Sequence, residues 1–299
     1  MKHLVVIVGP TAIGKTAAAI AVAQHFRTEI ISCDSRQFYR QLNIGVARPT
    51  PTELTAVPHH FIANRSVDDP YNVYAYEHEA LECLQRLFRA HDVVVAVGGS
   101  GLYVDALCSG INLMPDPAPE LRATLSARIA RGELPQMLDE LRHLDPDYYA
   151  VVDHSNPIRI QRALEVIITA GEPYSQIIAQ PLQPRPFKIS KIGLRCDREV
   201  LRHRIDTRVD QMLQHGLVDE VRNLVPYRHI NTLNTVGYKE IFSYLDGLCT
   251  LEQAVSDIKN HTWQYAKKQM TWLKRYPEII WRDNKNFSEI LQLISGSEY

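Results

Sequence analysis

Eight consecutive residues, Gly9-Pro10-Thr11-Ala12-Ile13-Gly14-Lys15-Thr16, constrain the fold of this chain more than any other stretch. They satisfy G-x-x-x-x-G-K-[ST] at every fixed position. The apolar run His3 to Val8 precedes them and suits a strand buried on both faces. The Ala-rich run Lys15 to Phe26 follows and favours helix. Strand, glycine loop and helix together make a phosphate cradle. The two glycines permit a tight loop whose backbone N–H groups turn inward, and the helix N-terminus adds its partial positive charge. Lys15 adds a full charge and Thr16 a hydroxyl for Mg²⁺. A polyphosphate or diphosphate is therefore expected on Gly9, Pro10, Thr11, Ala12, Ile13, Gly14, Lys15 and Thr16.

The flanking segments predict a parallel sheet. Glu29 to Ser32 reads as a second strand, ending at Asp34, and Asp92 to Val97 as a third, running into the glycine turn Gly98-Gly99-Ser100-Gly101. Ligands of open α/β sheets sit beyond the carboxyl ends of strands, so Asp34 belongs near the phosphate loop. On position alone, a plain turn-capping Asp fits equally well. Between these strands, 41–72 holds Pro49, Pro51, Pro58 and Pro70 with little periodicity and reads as loop or lid; adjacent His59 and His60 make a poor metal pair. Val73 to Arg89 reads as a helix packed through Ala80, Leu84 and Leu87.

The texture changes at Pro115. From there to about residue 190 the pattern is helical, bounded by Pro115, Pro117 and Pro119 on one side and Pro181, Pro184 and Pro186 on the other. We expect a core of 1–114 and 191–299 interrupted by a helical insertion, 115–190. The clearest insertion helix is Asn156 to Ala170, with Ile160, Leu164 and Ile167 as its apolar stripe and Arg159 and Arg162 off it; a solvated basic edge explains those arginines from pattern alone. Lys188 to Leu194 reads as a strand returning to the sheet. A helix from Glu199 then buries Leu201, Ile205, Val209 and Met212-Leu213, with Arg204 and Arg208 on its flank, and stops at Gly216. His261 to Arg275 reads as a helix with Trp263, Ala266, Met270 and Leu273 on one face and Lys267, Lys268, Lys274 and Arg275 off it.

Composition removes several classes. No apolar run reaches the ~20 residues of a membrane span, and the chain runs into its first strand directly after Met1-Lys2. The five cysteines are scattered with no C-x-x-C pair, which argues against a disulfide framework or zinc site and for a reducing cytoplasm. Net charge is −1, but residues 1–150 carry 13 Lys and Arg against 17 Asp and Glu, while 151–299 carry 20 against 17. Global attraction to nucleic acid is not expected, and the charge balance of the second half leaves room for a local basic surface.

Taken together, the motifs resemble one family, the tRNA dimethylallyltransferases or tRNA isopentenyltransferases. The likeness spans nearly the whole chain in order: GPTAIGKT, DSRQFYR (34–40), IGVARP (44–49), PHHFI (58–62), VGGSGLYVDAL (97–107), NPIRIQRALEV (156–166), RVDQMLQHGLVDEV (208–221), TVGYKE (235–240) and TWQYAKKQMTWLKR (262–275). The resemblance implies a P-loop NTPase-like α/β core. It implies transfer of a dimethylallyl group from dimethylallyl diphosphate to N6 of adenosine 37 in the anticodon stem-loop of tRNA, with Mg²⁺, by a cytoplasmic protein expected to be monomeric. By residue, it makes Asp34 the base, Thr16 the metal ligand and Arg208 the partner of the departing diphosphate. It places Asp34, Ser35, Arg36, Gln37, Ser100, Arg122, Ile158, Arg159, Ile160, Gln161 and Arg162 on the tRNA. The chemistry of the residues agrees, since the prenyl donor ends in a diphosphate and the adenine amine is a weak nucleophile that a carboxylate would help. The rival readings are a P-loop small-molecule kinase turning over ATP, and a nucleotide-dependent binding module with no chemistry.

Overall fold

The computed structural model describes residues 1–296. Six strands, β1 (His3–Val8), β2 (Ile30–Ser32), β3 (His59–His60), β4 (Val93–Val97), β5 (Lys188–Arg195) and β6 (Ile280–Asp283), form one sheet in the order β3-β2-β4-β1-β5-β6. Every pairing is parallel. β1 lies inside the sheet between β4 and β5, with His3 opposite Val93 and Lys188. Its side chains divide between two cores: Leu4, Val6 and Val8 enter one, Val5 and Ile7 the other. That is why the run is apolar at every position rather than alternating.

Helices of the same body cover the sheet: α1 (Lys15–His25), α2 (Pro51–Ala56), α3 (Val73–Ala90) and α4 (Gly101–Ser109) precede the insertion. After five insertion helices, α5 (Pro119–Ala130), α6 (Leu134–Leu144), α7 (Pro146–Val151), α8 (Pro157–Ala170) and α9 (Tyr174–Ile178), come α10 (Arg198–Gln214), α11 (Leu217–Asn223), α12 (Tyr238–Leu245), α13 (Leu251–Leu273) and α14 (Phe287–Ser295). The carboxyl ends of β1, β2 and β4, neighbours in the sheet, deliver Gly9, Cys33-Asp34 and Gly98 to one edge, the ligand edge of such folds.

The structure departs from the sequence reading at α2, β3, the start of α13, β6 and α14, and at the bounds of the insertion. The segment 41–72 is not all loop: α2 lies in it, capped reciprocally by Thr50 and Glu53, and His59–His60 forms the edge strand β3, paired with Ile30 and Ile31. Two residues are too few for a periodic signal. The basic helix starts at Leu251, ten residues before His261, with Thr250 as its N-cap. β6 and α14 were not anticipated at all.

The chain divides into two compact units, Met1–Cys108 with the chain from Arg185 onward, and Ser109–Pro184. The second has its own core of Leu125, Met137, Leu141, Ile160, Leu164 and Ile167. Its main helix α8 is set by local chemistry: Asn156 Oδ1 accepts the Arg159 N–H, Pro157 fills the first turn, and Gly171 ends the helix at φ +72°.

Candidate active site

The glycine loop is held open by neighbours rather than by itself. Gly14 precedes α1 at φ +102°, a conformation costly for any other residue, and Ala12 also sits at φ +64°. The Ile13 carbonyl is drawn away from the cradle by two donors, Arg204 Nη1 at 2.8 Å and Asn284 Nδ2 at 2.8 Å. Lys15 Nζ donates to the Pro10 carbonyl at 2.9 Å. Its pKa is pushed down to about 8, first by burial and then by the Arg208 guanidinium, with Asp34 acting in the opposite direction. Burial, then Arg204, also lowers Arg208, while Glu53 opposes them. Two cations with depressed pKa values at the mouth of a glycine loop constitute a site awaiting negative charge.

Asp34 follows β2, and its Oδ1 accepts the Arg36 N–H at 2.9 Å. It is thus both a turn former and a lining residue. A cavity of about 310 Å³ is walled by Thr11, Gly14, Lys15, Thr16, Asp34, Glu53 and Arg208, among others. A second cavity, about 250 Å³, shares Thr11, Asp34 and Arg208 but adds an apolar wall of Val46, Val209, Met212, Val236 and Ile258. A charged cradle therefore adjoins an oily one, with Asp34 and Arg208 on both. Arg208 Nη1 donates to Thr11 Oγ1 at 3.3 Å, tying α10 to the glycine loop.

The other sequence-nominated residues separate into groups. Ser35 and Ser100 join, with the Ser35 N–H donating to Ser100 Oγ at 3.0 Å. Arg36 lines the apolar cavity beside Asp34. Gln37 braces the adjoining loop, its Nε2 donating to the Ala47 carbonyl at 3.1 Å and its Oε1 accepting from Ser32 Oγ at 3.3 Å. In the insertion, Ile158 and Arg159 are exposed, whereas Ile160 is fully buried in that unit's core. An RNA contact by the Ile160 side chain is therefore ruled out; it packs the helix. Arg122 and Arg162 both reach the buried carboxylate of Glu165, at 3.3 and 3.5 Å, and Gln161 Nε2 donates to it at 2.9 Å.

Three residues outside the nominated set prove structurally close to the site. Glu220 accepts backbone N–H bonds from Asn43, Ile44 and Gly45 and the Tyr238 hydroxyl, the last at 2.6 Å. It fixes the loop that supplies Val46 and Ala47 to both cavities. Gln269, on α13, bonds the glycine loop directly. Glu53 caps α2 and faces the charged cavity. Glu220 and Gln269 lie within motifs that carry the family resemblance, but a polar residue on an amphipathic helix reads as solvated until its partners are known.

Among the described residues no three His, Cys, Asp or Glu side chains gather as a metal cage. The charged cavity does offer hard oxygen donors, Thr16 Oγ1 and the carboxylates of Asp34 and Glu53. Mg²⁺ is commonly held by one or two such ligands, with waters and substrate phosphates completing the octahedron, so these residues fit it.

The family model described as IPP transferase matches residues 37–276. A protein named tRNA dimethylallyltransferase 1 from Bacteroides thetaiotaomicron is 47% identical over 294 residues, covering 98% of this chain and 96% of the relative. The tRNA dimethylallyltransferase of Christiangramia forsetii is 45% identical over 295 residues, covering 97% of this chain and 98% of its own. Among solved structures, the full-length tRNA isopentenylpyrophosphate transferase of Bacillus halodurans superposes with a TM-score of 0.73 at 34% identity, covering 99% of this chain and 96% of that one. A eukaryotic dimethylallyltransferase acting on tRNA shares the fold, with a TM-score of 0.81 at 24% identity over 99% of this chain and 79% of that one.

Proposed function

The chain belongs to the IPP transferase family, and from that premise we propose that it is a tRNA-prenylating enzyme, a tRNA dimethylallyltransferase. Its donor is dimethylallyl diphosphate and its acceptor N6 of adenosine 37, beside the anticodon. One observation carries the reading: the phosphate cradle, Asp34 and Arg208 all open onto a single cavity, and an apolar wall begins where the charged one ends. A diphosphate with a five-carbon apolar tail has those two textures in that order.

The residues then take roles that follow from charge. The inward N–H groups of the glycine loop, apart from that of Thr11, which Gln269 takes, bind the diphosphate together with Lys15. Thr16, with Glu53 nearby, would hold Mg²⁺, which neutralises charge on the departing diphosphate when bound. Arg208 stabilises the charge that develops on the bridging oxygen as its bond to the allylic carbon breaks. Val46, Val209, Met212, Val236 and Ile258 receive the dimethylallyl chain and keep water from its cation-like carbon. Asp34 accepts the N6 proton as the carbon–nitrogen bond forms. The adenine must leave its stack to reach Asp34, and Ser35, Arg36 and Ser100 lie beside the position it would occupy.

The insertion supplies RNA contacts through Arg122, Arg159, Arg162 and the exposed Ile158. We propose that the protein acts as a monomer. No helix among the described residues is long and apolar enough to cross a membrane, and the five cysteines are free thiols; with tRNA as substrate, we place the protein in the cytoplasm. The test is direct: purified protein, dimethylallyl diphosphate, Mg²⁺ and an anticodon stem-loop bearing adenine at the target position. Mass spectrometry should find one C5H8 added to the RNA, and none when that adenine is replaced by guanine. Turnover of ATP with no addition to the RNA would return the kinase reading.

A further inference from the structure

Gln269 is one of the few polar side chains in the buried set, only 7% exposed, and it sits one turn before the end of the long basic helix α13. Its Oε1 accepts the Thr11 backbone N–H at 2.8 Å, and its Nε2 donates to the Gly99 carbonyl at 2.8 Å. Only one orientation of the amide satisfies both, because Thr11 offers a donor and Gly99 an acceptor. The contact is tight. A Cβ at Gly99 would lie 2.3 Å from Gln269 Nε2, so the absence of a side chain at 99 is what lets the helix approach. The same Gly99 position is 3.5 Å from Lys15 Nζ. A single amide thus bridges the loop after β1 and the turn after β4, beside the lysine of the cradle.

Thr11 is held from a second direction by Arg208, through Oγ1. Its backbone N–H, which the motif alone would assign to phosphate, is already engaged by Gln269. One turn before Gln269 on α13, Tyr265 lines the apolar cavity together with Asp34. Helix α13 is therefore joined at one end of this stretch to the phosphate cradle and at the other to the place where the acceptor amine would react.

We propose that Gln269 is a positioning residue for the transfer: it fixes the Thr11 segment of the cradle against α13, so that diphosphate binding and the position of that helix are linked. The proposal rests on the cradle being a diphosphate site. It predicts that loss of the amide damages donor binding while leaving the RNA surface largely intact.

The experiment compares wild type with Gln269→Met, which keeps length and bulk but removes both hydrogen bonds. A second variant, Gly99→Ala, displaces the amide without altering it. Calorimetry with inorganic pyrophosphate and Mg²⁺ measures the cradle, and steady-state kinetics give KM for each substrate. Both variants should bind pyrophosphate about 10- to 100-fold more weakly, the range expected when one or two buried backbone groups lose their partners. KM for the prenyl donor should rise and KM for the stem-loop should stay within about twofold. A purely structural brace would instead lower the melting temperature and the active fraction, with both KM values unchanged in what remains folded. That result, or wild-type pyrophosphate affinity in both variants, overturns the proposal. Should Gln269→Met not fold, Gly99→Ala alone decides between the same outcomes. Wild-type protein that binds no pyrophosphate sinks the diphosphate reading and this proposal together, whereas wild-type binding with unaffected variants sinks this proposal alone.

Discussion

Asp34 Oδ1 shapes the turn by accepting the Arg36 N–H, and the residue lines the cavity, where the proposed reaction makes its carboxylate the base. Asn at this position keeps the acceptor that shapes the turn and loses the base. Asp34→Asn should therefore bind pyrophosphate as wild type does while single-turnover prenylation falls by about 10²–10⁴-fold, the scale of general-base catalysis; a near-normal rate would remove Asp34 from the chemistry. Lys15 yields a second test. Burial holds its pKa near 8 instead of 10.5. Between those values the unfolded chain carries the proton and the free folded protein does not, so Lys15 makes stability rise with pH across that window. Diphosphate restores the charge, so binding above about pH 8 must take up a proton and weaken by up to about tenfold per pH unit. Calorimetry near pH 9 in buffers of different ionisation enthalpy should report uptake approaching one proton, absent in Lys15→Met. Equal affinity from about pH 7 to 9.5 would reject it. Lys15 was legible in the sequence because a phosphate loop demands particular residues at fixed spacing, whereas Asp34 was nominated by the family resemblance, its position alone fitting a turn-capping Asp equally well. Gln269 and Glu220 were not legible, since their roles depend on partners 258 and 175–177 residues away.

The loop 43–47, between β2 and α2, shows how an irregular element becomes a rigid wall. On one side Glu220 of α11 gathers three successive N–H groups; on the other Gln37 donates to the Val46 and Ala47 carbonyls. Tyr238 of α12 fills the space at Gly45, where a Cβ would fall 2.5 Å from its ring. Several hydrogen bonds to one carboxylate lie at the stronger end of the range for such contacts. Glu220→Ala should therefore release the loop rather than unfold the chain. Amide exchange at Asn43, Ile44 and Gly45 should accelerate by at least about tenfold, with KM for the prenyl donor rising because Val46 no longer holds its place. Unchanged exchange at those amides would show that the loop is held by something else. The fold was legible element by element in proportion to length of pattern. β1 and β4 are apolar runs buried on both faces, and α8 carries its own cap, Pro and terminal Gly. β3 is two residues long, and the first ten residues of α13 lack the basic stripe that drew attention to its end.

At the scale of the molecule, the insertion is a unit that the sequence reading, 115–190, set six residues further along the chain at both edges than the compact unit Ser109–Pro184. Pro115 marks the change of texture, but the chain leaves the first body at the end of α4, and it re-enters at Arg185 rather than after residue 190. Ser109–Pro184 buries Leu125, Met137, Leu141, Leu164 and Ile167 among themselves, so its stability has a local source. The first body likewise keeps both faces of its sheet covered by its own helices. Two self-sufficient cores predict independence. Replacing 109–184 with a short Gly-Ser linker should leave a folded protein that retains pyrophosphate affinity within about threefold, since the cradle, Arg204, Arg208, Asn284 and Gln269 all lie outside the deletion. Stem-loop affinity should fall by at least about tenfold, and its dependence on salt should flatten as fewer basic side chains displace counterions. Arg159→Ala in the full chain should reproduce part of that flattening. The effect of Arg122→Ala is harder to read because it also removes a partner of the buried Glu165 carboxylate, a change expected to destabilise the unit as well. If the deletion unfolds the remainder, the two cores are not independent. If stem-loop binding survives it unchanged, the arginines of the insertion are structural, and the basic residues Lys267, Lys268, Lys274 and Arg275 of α13 and its end become the RNA surface.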